Sequence, residues 1–206
     1  MRRARGVRAL LSASIALLMM GCAAARPAAP KGRAMVELTT GLGTILLEVD
    51  RTRAPATAEN FLRYVREGFY DGGRFHRTVT LRNQPGQSVK IEVVQAGIAP
   101  SRERDERPPI PLERTRDTGL RHVDGAVSMA RAEPDSARSD FFICVGDQPE
   151  LDFGGRRNPD GQGFAVFGRV VKGMEVVRRI QAAPADGQAL APPVAILSAR
   201  IVGDRR

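Results

Sequence analysis

The sequence predicts a mainly β domain, a closed or nearly closed antiparallel barrel of about eight short strands accompanied by two α-helices. Three observations carry this expectation. From Met35 onward, short runs rich in β-branched and aromatic residues recur between turn-forming residues. Only two stretches repeat apolar residues at helical spacing. The 206 residues show no internal repeat and amount to one domain with some excess, at about 150 residues per domain. With hydrophobic residues at 42% and charged residues at 27%, the chain can bury a full core without metal or disulfide staples.

The N-terminus reads as an address. Arg2, Arg3, Arg5 and Arg8 precede an apolar run from Ala9 to Met20 broken only by Ser12 and Ser14. This is the layout of a secretory signal, and the run is too short for a comfortable membrane span. Gly21-Cys22 at its end resembles a bacterial lipobox, with Met19 where leucine is usual. That resemblance implies acylation of the Cys22 thiol, which becomes the new N-terminus. The alternative is a plain signal peptide cleaved at one of the alanines that follow. Residues 1–21 are expected to be a lipoprotein-type signal, 22–34 a Pro/Ala-rich flexible tether and 35–206 the folded domain. The domain is then exported and held by acyl chains to a bacterial membrane, facing the periplasm or the cell exterior.

Residues 35–40 and 44–49 flank Gly41-Leu42-Gly43 and read as two strands around a tight turn. A helix is expected over 55–67. Pro55 suits its first turn, Ala58, Phe61, Leu62 and Val65 recur at helical spacing, and Gly68 closes it. Short β runs follow at 74–79, 89–94, 126–130, 141–145 and 164–170. A second helix is expected over 174–182 and a last strand over 194–202, which a closed barrel sets beside the first. Three long connections remain. Gln84-Pro85-Gly86-Gln87-Ser88 breaks a strand region with turn residues. Residues 100–117 carry charges of both signs and four prolines and read as a solvated surface loop. Residues 151–163 are rich in Gly, Asn and Asp. Loops this long on a small β domain are usually functional or disordered.

Charge and motif content narrow the function. The formal charge of +9 falls to 9 − 4 = +5 when the four arginines of the signal are removed, which is basic without demanding nucleic acid. The 29 arginines and 3 lysines are dispersed, with no basic stripe interleaved with aromatics, so no nucleic-acid partner is expected. Cys22 and Cys144 sit in contexts too different for a bridge. Cys144, inside an apolar run, reads as a buried small hydrophobe. His76 and His122 are the only histidines and lack a second His or Cys at ligand spacing, so neither metal nor cofactor is expected. Gly41-Leu42-Gly43 lacks the third glycine and the helix of a dinucleotide fingerprint. Asp152-Phe153-Gly154 has none of a kinase's other loops beside it. There is no G-x-S-x-G elbow and no obvious Ser/His/Asp set.

Five separated segments, in order, resemble the cyclophilins. Phe69-Tyr-Asp-Gly-Gly-Arg-Phe75-His76-Arg77 is similar to the family's "FYDG…FHR", and Val94-Gln95-Ala96-Gly97 to its "QGG". Gly125-Ala-Val-Ser-Met129-Ala130-Arg131 resembles "GxxSMAN/R". Ser139-Asp-Phe-Phe142-Ile-Cys-Val-Gly-Asp-Gln-Pro-Glu150-Leu151-Asp152 resembles "SQFFIxxxxxxxLD", and Phe164-Ala-Val-Phe167-Gly168 to Met174 resembles "VFGxVxxGM". With their flanking strands these blocks span nearly all of 35–202. The resemblance implies an eight-stranded antiparallel barrel capped by two helices, with peptidyl-prolyl cis-trans isomerase activity.

It also implies residue roles. Arg77 faces the prolyl group and stabilises the twisted amide, while Gln95 orients that arginine and the substrate backbone. Phe142 and Leu151 are walls of the proline pocket, and Phe164 takes a pocket position where relatives carry His or Tyr. Ala130 and Arg131 contact the peptide before the proline. Counting back from Gln95, Val93 falls where the pocket commonly has Met and Glu92 where it commonly has Phe. His76 reads as structural. The chain departs from the pattern in residues 81–90, which lengthen one connection, and in Ala96 and Asp140. Glu150 stands where relatives carry Trp or Phe. Trp there favours cyclosporin, so weak cyclosporin binding is expected. The function implied is isomerisation of X-Pro bonds in exported polypeptides. The alternatives are a non-catalytic module for proline-containing segments and a structural envelope lipoprotein.

Overall fold

A computed structural model describes residues 32–205. The signal segment, Cys22 and most of the tether lie outside the described residues. β1 (Arg33–Thr40) and β2 (Gly43–Asp50) form an antiparallel hairpin in register from Arg33↔Asp50 to Thr40↔Gly43. Their alternation is resolved as two faces: Ala34, Val36, Leu38, Ile45, Leu47 and Val49 are all buried. α1 (Pro55–Arg66) follows, then β3 (Arg74–Val79), β4 (Val93–Gly97), the four-residue α2 (Thr115–Thr118), β5 (Ala126–Met129), β6 (Phe141–Cys144) and β7 (Ala165–Lys172). α3 (Met174–Gln181), the two-residue β8 (Ala185–Asp186) and β9 (Ala189–Arg205) complete the chain.

Among the described residues, eight strands close a ring in the order β1-β2-β7-β5-β6-β4-β3-β9, and β9 pairs back to β1. Every pairing is antiparallel, and β8 is only a hairpin partner for the start of β9. Closure leaves no free edge in the ring. β9 is longer than the expected 194–202 because it serves three neighbours in turn, pairing first with β8, then β3, then β1.

α1 packs an aromatic cluster over one end of the barrel. The Phe61 ring lies 5.0 Å from Phe167, 5.3 Å from Tyr70 and 5.4 Å from Phe141, the last edge-on. Tyr70 donates its hydroxyl to the Ser139 carbonyl at 2.6 Å, and its burial pushes the phenol well above its ordinary range. At the other side of the barrel, Gly173 turns the chain into α3 with φ +96°, where a Cβ would stand 2.5 Å from the Thr44 carbonyl oxygen.

Two expectations need correction. Only the end of the run 89–94 is strand: 89–92 is irregular, and β4 begins at Val93 and continues to Gly97. The buried Gln84 amide explains the difference. Its Nε2 donates to the carbonyls of Thr80 (2.7 Å) and Ile91 (2.8 Å), and its Oε1 accepts from the Ile91 N–H at 3.2 Å. A side chain thus satisfies the backbone groups a neighbouring strand would otherwise pair. Nor is 100–117 simply a solvated loop. Leu112 and Thr115 are buried, Ile110 bridges to Ala137, and the Glu113 carboxylate caps α1. It accepts from the N–H groups of Ala56 (3.1 Å) and Thr57 (2.7 Å) and from the Thr57 hydroxyl (2.6 Å). Ala54 at the helix start offers no capping side chain, so an acid from a distant loop supplies what the local sequence lacks.

Candidate active site

β6, β4 and β3 lie side by side in the ring, and residues of all three form the base of a cleft of about 450 Å³, with Ala130 and Arg131 entering just after β5. The structure brings all eight sequence-predicted residues to it: Arg77, Val93, Gln95, Ala130, Arg131, Phe142, Leu151 and Phe164. Arg77 and Gln95 face each other in the β3–β4 register, and Gln95 sits opposite Phe142 in the β4–β6 register. The cleft has an apolar floor, and its rim carries Arg77 and Arg157 toward one end and the acids Glu106 and Asp140 toward the other.

Phe142, Leu151 and Val93 are buried into the floor. The Phe164 ring stands edge-on to Phe142 at 5.3 Å. Glu92, expected near the pocket by counting back from Gln95, is not on it. Its carboxylate accepts from Gln181 Nε2 at 3.3 Å, on α3, while Ile91 lines the cleft instead. The irregular loop before β4 changes which residue points inward, so a count along an assumed strand misplaces it. Glu150 does not line the cleft either: it pairs with Arg156, Nη2 to Oε1, at 2.8 Å.

Arg77 is held from both ends. Nη1 donates to Gln95 Oε1 at 3.0 Å, while Nε and Nη2 donate to Gln188 Oε1 at 2.9 and 2.6 Å. Gln188, in the turn between β8 and β9, is fixed in turn by donating Nε2 to the Asn83 carbonyl at 3.0 Å. Gln95 donates its own Nε2 to Asp140 Oδ2 at 2.9 Å. A carboxylate that can only accept therefore forces the Gln95 carbonyl oxygen toward Arg77. Burial, helped by Glu106 and Glu103, raises the Asp140 carboxyl above its ordinary value, against the Gln95 bond and His76, whose Nε2 lies 3.5 Å away. Gly97 makes room for this acid, since a Cβ there would collide with the Asp140 carboxylate. Burial and the nearby Arg157 charge lower the Arg77 guanidinium from its ordinary value. Of five guanidinium N–H groups, three are engaged, leaving one on each terminal nitrogen.

Arg131 lines the cleft, but its side chain is engaged within the protein. That side chain is only 1% exposed, its guanidinium bound to Asp160 at 2.7 and 3.0 Å and to the Gly163 carbonyl at 2.8 Å and lying 5.1 Å over the Phe164 ring. It braces the aromatic wall and the 151–163 loop.

A Ser/His/Asp set, not visible in the sequence, is assembled beneath the floor. His122 Nδ1 lies 2.8 Å from Asp152 Oδ1 and Nε2 lies 3.0 Å from Ser128 Oγ. All three are buried, so the serine has no access to a substrate. The His122 ring stacks on Phe142 at 5.9 Å and 11° and meets Phe164 edge-on at 6.4 Å. Burial lowers the imidazole below its ordinary value against the pull of Asp152, so it is neutral at neutral pH. The set is a packed support for the two rings. The Cys144 thiol is buried as expected, and burial pushes it far up from its ordinary value.

A family model described as cyclophilin type peptidyl-prolyl cis-trans isomerase/CLD matches residues 35–201. The chain belongs to this family. Its cyclophilin relatives include Peptidyl-prolyl cis-trans isomerase A of Dickeya dadantii, 40% identical over 173 residues, covering 81% of this chain and 84% of that one. Peptidyl-prolyl cis-trans isomerase cyp18 of Streptomyces antibioticus is 38% identical over 174 residues, covering 82% and 98%. Among solved structures, a Cryptosporidium parvum cyclophilin type isomerase superposes with a TM-score of 0.68 at 20% identity, over 84% of this chain and all of that one. That likeness shows the fold alone.

Sequence reading missed Gln188, Ile91, Arg157 and the His122 support. Ile91 and Arg157 reach the cleft, and Gln188 reaches Arg77, from irregular segments with no motif around them. For His122 the "LD" acid and the "SM" serine were both in view, and only the fold shows that the histidine lies between them.

Proposed function

We propose that this cyclophilin is a peptidyl-prolyl cis-trans isomerase acting on exported polypeptides from a lipid-anchored, extracytoplasmic position. Family membership over nearly the whole described domain supports isomerase activity on proline-containing substrates. The observation that carries the mechanism is the Arg77 guanidinium, pinned by Gln95 and Gln188 above Phe142, Leu151 and Phe164.

Rotation about X-Pro is opposed by amide resonance, with a barrier of about 20 kcal/mol. No bond breaks, so the protein needs only to favour the twisted state over the planar ones. In the twisted state the nitrogen is pyramidal and its lone pair accepts a hydrogen bond that the planar amide cannot. The two unengaged N–H groups of Arg77 supply that donor. The apolar floor holds the pyrrolidine ring while the preceding carbonyl swings. Because Arg77 is already fixed, the interaction requires little reorganisation at the moment of rotation.

Export and anchoring rest on the arginine-led apolar segment and Gly21-Cys22. Lipid attachment is tested by mass spectrometry of the membrane-extracted protein beside Cys22→Ser. A diacylglyceryl mass increment lost in the variant supports the anchor. Glu150 in place of a ring supports weak cyclosporin binding, which a nanomolar Kd by calorimetry would overturn. Activity is tested by NMR exchange of a blocked Ala-Pro peptide. Acceleration supports the isomerase, whereas binding without acceleration supports a proline-segment docking module instead.

A further inference from the structure

The cleft contains a second guanidinium whose charge no carboxylate answers. Arg157, on the loop after Leu151, lines the same cavity as Arg77. The acids of its own loop and its edge are engaged elsewhere: Glu150 with Arg156, Asp152 with His122, and Asp160 with Arg131. Arg157 Nη1 reaches neutral oxygens only, the Val89 carbonyl at 2.7 Å and Gln87 Oε1 at 3.4 Å, and among the described residues it makes no ion pair. Arg77, too, is held by amide oxygens alone.

Both groups are half-buried, and burial lowers both from their ordinary values, with Arg157 adding a like-charge push on Arg77. Two cations facing one partly desolvated cavity are unfavourable until an anion comes between them. The other charges on the cleft do not fill that role. Glu106 accepts from Ser139 Oγ and Asp140 from Gln95. Both acids also border a neighbouring cavity with Arg74, His76 and Glu103, on which neither Arg77 nor Arg157 lies. Arg138 donates to the Arg107 carbonyl, and Arg131 is paired with Asp160. The field thus changes sign along the cleft, and its cationic end is where an anion is missing.

We infer that Arg157 is a specificity-determining residue, which together with Arg77 selects X-Pro segments carrying a carboxylate within two residues of the proline. A guanidinium with free N–H groups matches a carboxylate in shape as well as charge. The inference deepens the isomerase reading and rests on it.

The test uses blocked Ala-Pro peptides with Glu or its isostere Gln placed before or after the dipeptide, plus an N-blocked peptide without acidic side chains that ends in a free C-terminal carboxylate. For each, kcat/KM by NMR exchange and Kd by titration are measured at low and high salt. At one placement the acid is expected to exceed the amide by roughly tenfold, about the worth of one charge-assisted hydrogen bond. The gap should shrink with salt. A gain from Glu identifies a side-chain carboxylate, and a gain confined to the free C-terminus identifies a main-chain one. Arg157→Gln is expected to bring the acid-to-amide ratio near one, whereas Arg169→Gln, which lines a different cavity, leaves it unchanged. A purely structural Arg157, holding the loop through Val89, would lower turnover of acid and amide alike and keep their ratio. Ratios within about twofold at every placement, or a ratio that survives Arg157→Gln, overturn the inference. If no peptide is turned over, the isomerase reading fails, and the acid-to-amide ratio of Kd values still decides this one.

Discussion

Replacing Gln188 with alanine removes two of the three hydrogen bonds that fix Arg77. The remaining bond, from Nη1 to Gln95, leaves the guanidinium free to pivot about one corner. Arginine carries about 2 kcal/mol of rotamer freedom, and Gln188 now suppresses most of it before substrate arrives. In the variant that ordering must occur in the twisted state itself. At about 1.4 kcal/mol per factor of ten, kcat should fall roughly ten- to thirtyfold. The apolar floor is untouched, so KM should change by less than about twofold, the pattern of an interaction strengthened in the transition state. Saturating exchange measurements on a blocked Ala-Pro peptide give kcat directly, with a thermal melt as control. A variant that melts like the wild type and keeps kcat within about twofold would refute the claim that Arg77 works by being held in place.

Other consequences concern the scaffold. His122 is buried neutral, so below its unfolded value of about 6.5 the unfolded chain binds a proton that the folded one does not. Stability should therefore decline as pH falls from about 6.5 toward the lowered folded value, by up to about 1.4 kcal/mol per pH unit, and urea melts of His122→Gln should lose that part of the slope. An unchanged slope would mean that the imidazole is not held neutral. Glu113→Ala uncaps α1 and should cost about 1–2 kcal/mol, read as a lower denaturation midpoint at constant m-value. Gln84→Ala strands the Ile91 N–H and carbonyl and should cost about 2–4 kcal/mol. It should also raise KM as Ile91 leaves the cleft, and a variant with unaltered KM would show that Ile91 is not part of the floor.

The regular elements were legible where one face is buried and the other solvated. The alternation in β1 and β2 and the helical spacing of Ala58, Phe61, Leu62 and Val65 each follow directly from which side meets the core. The same rule failed at 89–94, where Val89, Ile91 and Val93 alternate yet a glutamine side chain replaces the partner strand. It failed again at 100–117, because the α1 cap comes from Glu113, more than fifty residues away in the chain. The site divides the same way. Arg77, Gln95 and Phe142 were legible because they stand in the segments that resemble the cyclophilins, and the strand registers set them side by side on the cleft. Gln188 and Arg157 were not, because turns and loops bring them to Arg77 with no periodicity to announce it. The role of His122 as a support for Phe142 exists only through space.

The central claim is that a fixed fork of donors, rather than a positive charge alone, lowers the barrier. Arg77→Lys keeps the charge and removes the fork, leaving a compact ammonium that cannot engage Gln95 and Gln188 together while donating into the cleft. Measured beside Arg77→Ala by NMR exchange of the Ala-Pro peptide, the lysine variant is predicted to lose roughly a hundredfold in kcat, close to the alanine variant. A lysine variant within about threefold of the wild type would show that charge suffices and contradict the mechanism.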